Sequence, residues 1–242
     1  MASTTQSSFR RAPRKLVLNA PIMVPAALSV VSIVVAVNAG KDIAHAVAHP
    51  AARASFDAVY SCLRTAVMFA FTAFTFNRET PARRARNPVA YLACLVAVGS
   101  VTALGKPSAA TPSGLVLAGD IVALGFYCWV LASVLTLRRC FGLLPEARGL
   151  VTTGPYRFMR HPVYLGELGS CAGLVIAAAS VFNLLVFTGF VLAQWTRMGF
   201  EERALSSAFP EYTRYASETP RLYPAPLRRR RRPRRALNTA CR

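Results

Sequence analysis

Residues 163–195 read VYLGELGSCAGLVIAAASVFNLLVFTGFVLAQW, an apolar stretch whose one weak point lies near Ser180 to Asn183. At 1.5 Å per residue one helix of this length would run about 50 Å, well beyond the roughly 30 Å of a bilayer's hydrocarbon core. Two helices joined by a tight turn at the weak point satisfy both lengths, so the stretch predicts a helical hairpin. Working outward, four more apolar runs precede it: Leu16 to about Val37, Phe56 to Phe76, Val89 to Leu104, and Gly114 to Leu137. The six together predict an all-α, polytopic transmembrane protein of about six spans. Composition agrees, since 54% of the 242 residues are hydrophobic and 16% charged, where soluble domains are about 45–50% apolar. Arg10, Arg11, Arg14 and Lys15 precede the first run as they would in a signal peptide. That run exceeds a typical h-region of about 7–15 residues and lacks a small-x-small cleavage site, so it is expected to be a retained span.

The formal charge of +19 is topological information rather than a nucleic-acid footprint, and no nucleic-acid partner is expected. Basic residues crowd the connections at 77–88 (Arg78, Arg83, Arg84, Arg86) and 138–162 (Arg138, Arg139, Arg148, Arg157, Arg160), whereas 38–55 and 105–113 carry few. Lys and Arg are retained on the cytoplasmic side during insertion. Both termini are therefore expected in the cytoplasm, which requires an even number of spans. The chain divides into a basic N-terminus (1–15), four spans (16–137), a functional core (138–224) and a polybasic tail (225–242). The tail, with Arg228 to Arg232, Arg234 and Arg235, is expected to lie on anionic lipid, where each such residue contributes about 1 kcal/mol.

Six cysteines (Cys62, Cys94, Cys128, Cys140, Cys171, Cys241) show no C-x-x-C spacing and read as small apolar residues, without a disulfide framework or zinc site. His45 and His49, with Asp42 nearby, read as ordinary loop residues on the extracytoplasmic side. Arg64 and Asp120 lie about 12 and 9 Å inside their spans at 1.5 Å per residue, so they are expected to pair structurally.

The segment that carries chemistry runs from Arg148 to Pro224. Its most distinctive part, Gly149 to Gly166, contains Tyr156-Arg157-Phe158-Met159-Arg160-His161-Pro162-Val163-Tyr164. Pro162 fixes its own φ and biases His161 away from the α region, which places His161 in an extended turn before the fifth helix. The imidazole and nearby backbone N–H groups would face the cytoplasmic mouth, where a helix N-terminus attracts a carboxylate. Further on, Arg197 and Glu201 stand at i, i+4, and alone they read as a surface salt bridge.

Taken together, the Arg160-His161-Pro162-x-Tyr164-x-Gly166 string, the Glu201-Glu202 pair after two apolar helices, and the closing Phe209-Pro210-Glu211-Tyr212 and Pro220-Arg221-Leu222-Tyr223-Pro224 elements resemble the isoprenylcysteine carboxyl methyltransferase family. The phospholipid N-methyltransferases share much of the pattern. The resemblance covers the last third to two fifths of the chain and implies an integral membrane methyltransferase with S-adenosylmethionine as cofactor and S-adenosylhomocysteine as product. It implies that Arg148, Gly149, Leu150, Val151, Tyr156, His161, Pro162, Val163 and Tyr164 line the cofactor pocket, that Glu201 closes it, and that Arg197 holds the acceptor's carboxylate. One departure is Ser217-Glu218-Thr219, where the family often carries basic residues.

The residue types suit that cofactor on physical grounds. A sulfonium, an adenine and a zwitterionic amino acid require aromatic faces, a carboxylate and N–H donors. No glycine-rich dinucleotide loop follows a strand, and Gly166-x-x-Gly169 reads as close helix packing. The acceptor is expected to be a lipid-like molecule entering from the bilayer. A carboxylate acceptor needs a cation such as Arg197, whereas an amine needs a base, for which Glu201, Glu202 and His161 are candidates. A non-catalytic membrane scaffold of the same fold is the rival from another class.

Overall fold

A computed structural model describes residues 20–77, 81–84, 87–108, 111–142 and 144–223. Both basic termini lie outside the described residues, as do Arg78 and Arg86. The described residues form seven α-helices: α1 Ala20–Ala48, α2 Ala52–Phe76, α3 Pro88–Ala103, α4 Ser113–Leu137, α5 Pro162–Ala177, α6 Val181–Ala208 and α7 Glu211–Glu218. A two-residue ladder pairs β1, Arg83–Arg84, antiparallel with β2, Glu146–Ala147. Among the described residues, four helices are long and apolar enough to cross a membrane: Leu28–Ala48, Ala52–Phe76, Ser113–Cys140 and Val181–Ala208. The third and fifth expected spans are helices of 16 residues, which at 1.5 Å per residue rise about 24 Å and fall short of a hydrocarbon core by themselves.

Local chemistry sets the helix ends. The Asn87 side chain accepts from the Val89 N–H at 2.9 Å, and Pro88 occupies the first turn of α3, where its missing N–H is no loss. Ser180 caps α6 through the Asn183 N–H at 3.1 Å. Asn183 is buried; its amide donates to the Ala178 carbonyl at 2.6 Å and its oxygen accepts from the Gly105 N–H at 2.9 Å, so the hairpin turn is tied to the end of α3. The expected break at Ser180 to Asn183 is this turn.

The longest helix–helix interface joins α4 and α5, which run antiparallel. A Cβ on Gly166 would meet Val130 Cγ2 at 2.6 Å and one on Gly169 the Phe126 ring at 2.3 Å, so these glycines allow the close approach that their spacing suggested, and Gly173 extends it, since a Cβ there would meet the Ala123 nitrogen at 2.4 Å. Helices α1 and α2 pack through Ser32, whose hydroxyl bonds Met68 O at 3.2 Å and Thr72 at 2.8 Å. The outward faces stay apolar, with Val30, Phe69, Leu95, Ile121, Ile176 and Leu192 exposed, as a lipid solvent requires.

Three expectations need correction. Helix α1 continues to Ala48, so Asp42 and His45 are helical and the connection shrinks to a few residues around His49. Asp120 is buried against Arg53, not Arg64, and Arg53 also reaches Asp57 at 3.2 Å. Finally, Cys140 is disulfide-bonded, whereas Cys62, Cys128 and Cys171 carry free thiols.

Alternating helix directions gather the 77–87 and 138–161 connections and α7 at one end of the bundle. Both connections are arginine-rich, and they touch through the β1–β2 ladder and through the Arg139 Nε–H donated to Asn77 O at 2.9 Å.

Candidate functional site

At that end, α2 and α4 finish, α5 begins and α6 emerges beneath α7. The space between them is a cavity with about 70 Å³ of room for water-sized groups inside, and about 860 Å³ when the open solvent at its mouth is counted. Arg148, Gly149, Leu150, Val151, Tyr156, His161, Val163, Tyr164, Arg197 and Glu201 all line it. Pro162 does not; it is fully buried behind the wall, and its carbonyl accepts the Trp129 indole N–H at 3.1 Å. Pro162 therefore shapes the site by seating α5 against α4.

The roof is built from the C-terminal segment. His161 has φ −125° and ψ 60° before Pro162, outside the α region as the following proline requires but short of the extended backbone expected for this turn. Its backbone N–H donates to Arg221 O at 3.1 Å and that of Arg160 to Pro220 O at 2.9 Å. These N–H groups bind the chain's own closing element rather than a ligand carboxylate, which corrects the expectation for this turn. Glu202 gathers the same strands: it meets His161 Nε2 at 3.0 Å, Arg160 Nε at 3.4 Å, and the Arg221 guanidinium through Nε at 3.1 Å and a second nitrogen. That hydrogen bond holds the Arg221 pKa above its ordinary value. Surrounded by three basic side chains, Glu202 is a structural tie and a poor candidate for a base. The Tyr215 hydroxyl donates to Tyr156 O at 2.6 Å and pins α7 over the cavity. Burial pushes the Tyr156 and Tyr212 phenols above their usual range, so both stay neutral near pH 7.

The inner wall carries the charge. Arg197 is only 8% exposed, which removes the surface salt-bridge reading. Its guanidinium donates to Gln194 Oε1 at 2.7 Å, lies 4.0 Å from Glu167 Oε2, and sits over the Tyr164 ring at 5.2 Å. The Tyr164 hydroxyl donates to Glu201 at 2.8 Å, so Arg197 and Glu201 meet through Tyr164. Gln194, fully buried, also donates to Glu167. Arg148 is neutralised by Glu146 in a buried pair.

Sequence reading missed Glu167, Tyr212, Tyr215 and Glu146, all of which line the cavity. Glu167 had a readable signal, because an acidic residue inside an apolar run marks a functional position by default. Tyr212 and Tyr215 stand in and beside the closing motif, but their placement over the cavity depends on how α7 folds back.

The cavity's residues fit S-adenosylmethionine. Glu201 and Glu167 outnumber Arg197 on the inner wall, which suits a sulfonium cation, and Tyr156, Tyr164 and Tyr212 offer aromatic faces.

Comparison with known proteins points the same way. Residues 113–212, from the first turn of α4 into α7, match the family model described as phospholipid methyltransferase. The cobalt-zinc-cadmium resistance protein CzcN of Cupriavidus metallidurans is 40% identical over 76 residues, 31% of this chain and 35% of that protein. The nickel-cobalt-cadmium resistance protein NccN of Alcaligenes xylosoxydans xylosoxydans is 36% identical over 76 residues, 31% of this chain and 36% of its own length. The matched part thus spans about a third of each curated relative. A helical bundle with membrane-crossing helices, matching a methyltransferase family over its site-bearing part, defines the class to which this chain is similar.

Proposed function

We propose that this protein is an integral membrane methyltransferase that uses S-adenosylmethionine to methylate a lipophilic acceptor entering from the bilayer. The observation that carries the proposal is the convergence of ten residues, named from sequence, on one cavity within the segment that matches a methyltransferase family. In this reading α3 and α5 complete six spans with their flanking residues, and the arginine-rich end that holds the cavity faces the cytoplasm. Bound S-adenosylmethionine supplies an electrophilic methyl group. Glu201, oriented by the Tyr164 hydroxyl, holds the cofactor's cationic end, and Tyr156 and the Arg148–Val151 backbone flank the remainder. The protein's contribution is positioning and exclusion of water.

Two acceptor classes place different demands on the inner wall. A carboxylate, as in an isoprenylcysteine, would draw on Arg197 as its counter-ion. The contact between Glu167 and Arg197 favours a second reading, an acceptor such as an amine-bearing lipid, because Arg197 already has an internal counter-ion. The proposal is tested by calorimetric titration of the detergent-solubilised protein with S-adenosylmethionine, then by transfer of radiolabelled methyl to a total lipid extract. Saturable binding and labelled lipid are expected. A scaffold would give neither.

A further inference from the structure

We propose that Glu167 takes the proton of a protic acceptor head group, an amine, hydroxyl or thiol, as the methyl group is transferred, and that it thereby selects against acceptors that are already carboxylates. The inference rests on the methyltransferase reading above.

Glu167 lies on α5 one turn beyond Tyr164 and lines the cavity. Its carboxylate closes a triangle with the fully buried Gln194 and with Arg197, so its position is set by two partners on α6. A carboxylate on an apolar helix is expensive to keep inside a bilayer, and pinning α5 to α6 does not require one to face a cavity. On the α5–α6 wall Glu167 and Glu201 face Arg197, while Arg148 and Arg160, which also line the cavity, have carboxylate partners in Glu146 and Glu202. A third carboxylate, from an acceptor, would sit among like charges in a poorly screened interior, whereas an ammonium or a neutral protic group could donate its hydrogen bond to Glu167 and pass its proton there. Of the other candidate bases, Glu202 and His161 bond each other in the roof and Glu201 accepts from Tyr164; Glu167, though bonded to Gln194, keeps 24% of its side chain exposed on the cavity wall.

The step balances. The lone pair of the acceptor heteroatom forms the new bond to carbon as the carbon–sulfur bond breaks, and that bond's electron pair stays on sulfur. The acceptor's proton passes to Glu167 and leaves to solvent through the cavity mouth.

The test uses the full chain in detergent with S-adenosylhomocysteine bound, titrated with hexylamine and hexanoate, which are short enough to stay out of the micelle. The wild type should bind hexylamine at least tenfold more tightly than hexanoate. Glu167→Gln should abolish that preference while S-adenosylhomocysteine affinity stays within about threefold, and should lower methyl transfer to a total lipid extract about 10²–10⁴-fold. Glu167→Asp, which keeps a carboxylate one methylene shorter, should restore the preference. Hexanoate binding as tightly as hexylamine, an unchanged preference in Glu167→Gln, or a wild-type product that releases methanol in base would overturn the role of Glu167. Wild-type protein that fails to bind S-adenosylhomocysteine would instead overturn the methyltransferase reading beneath it.

Discussion

Replacing Gly173 with alanine tests whether the site depends on the approach of α4 to α5. The added Cβ would lie 2.4 Å from the Ala123 nitrogen, 2.6 Å from the Gly119 carbonyl oxygen and 2.8 Å from the Ala123 Cα. All three are backbone atoms, so no rotamer change relieves the contact, and ordinary contact begins near 3.4 Å. The helices must therefore part by about 1 Å, and overpacking of this kind costs about 1–3 kcal/mol. Alanine also favours helix over glycine by about 0.5–1 kcal/mol, so the packing cost must be read against a control. Gly125→Ala on the exposed face of α4 meets nothing within 4 Å and registers the propensity gain alone. Denaturant unfolding in detergent should place Gly173→Ala below Gly125→Ala by about 1–3 kcal/mol. Because α5 carries Tyr164 and Glu167, S-adenosylmethionine affinity should fall as well. Equal stability of the two variants would refute the tight interface and the claim that α5 is held in place by α4.

Other outcomes follow from the site. Glu201→Gln should weaken S-adenosylmethionine binding about ten- to a hundredfold by calorimetry, the worth of one charged hydrogen bond, whereas Arg197→Lys should leave that affinity within about threefold and depress turnover. Arg221→Ala removes two of the hydrogen bonds to Glu202; limited proteolysis should then cut residues 219–223 faster, and cofactor affinity should fall without loss of the bundle. Reporters active only in the cytoplasm should be active when fused within 81–84 or at 145 and silent at 47 or 108, and activity at 47 would reverse the orientation.

Much of this molecule is legible in the sequence because the bilayer makes length and polarity decisive. The α5–α6 break was readable from apolar length, and Ser180 and Asn183 at the break supply the cap and the tie. Most residues of the cavity wall were named through the family resemblance, and Pro162 fixes the turn at His161 locally. What escaped was long-range register. Arg64 and Asp120 match in depth only if α2 and α4 begin level. Instead Arg53 pairs with Asp120 and the Tyr60 ring packs tilted against Tyr127, so α4 begins about 9 Å further out than α2, six residues at 1.5 Å each. Glu167 escaped for a related reason: its partners Gln194 and Arg197 lie across a helix interface, and spacing along α5 does not name them. The roof escaped because the backbone bonds from Arg160 and His161 to Pro220 and Arg221 leave no periodic trace.

That roof sets an order of assembly. Pro220 and Arg221 dock on Arg160 and His161 before α5 and on Glu202 of α6, a surface that exists only once α5 and α6 have come together, so the bundle forms with its cavity uncovered. A chain ending after Ala208 would have the helices and no closed site, and the cavity stays open to lipid and solvent until the closing residues dock.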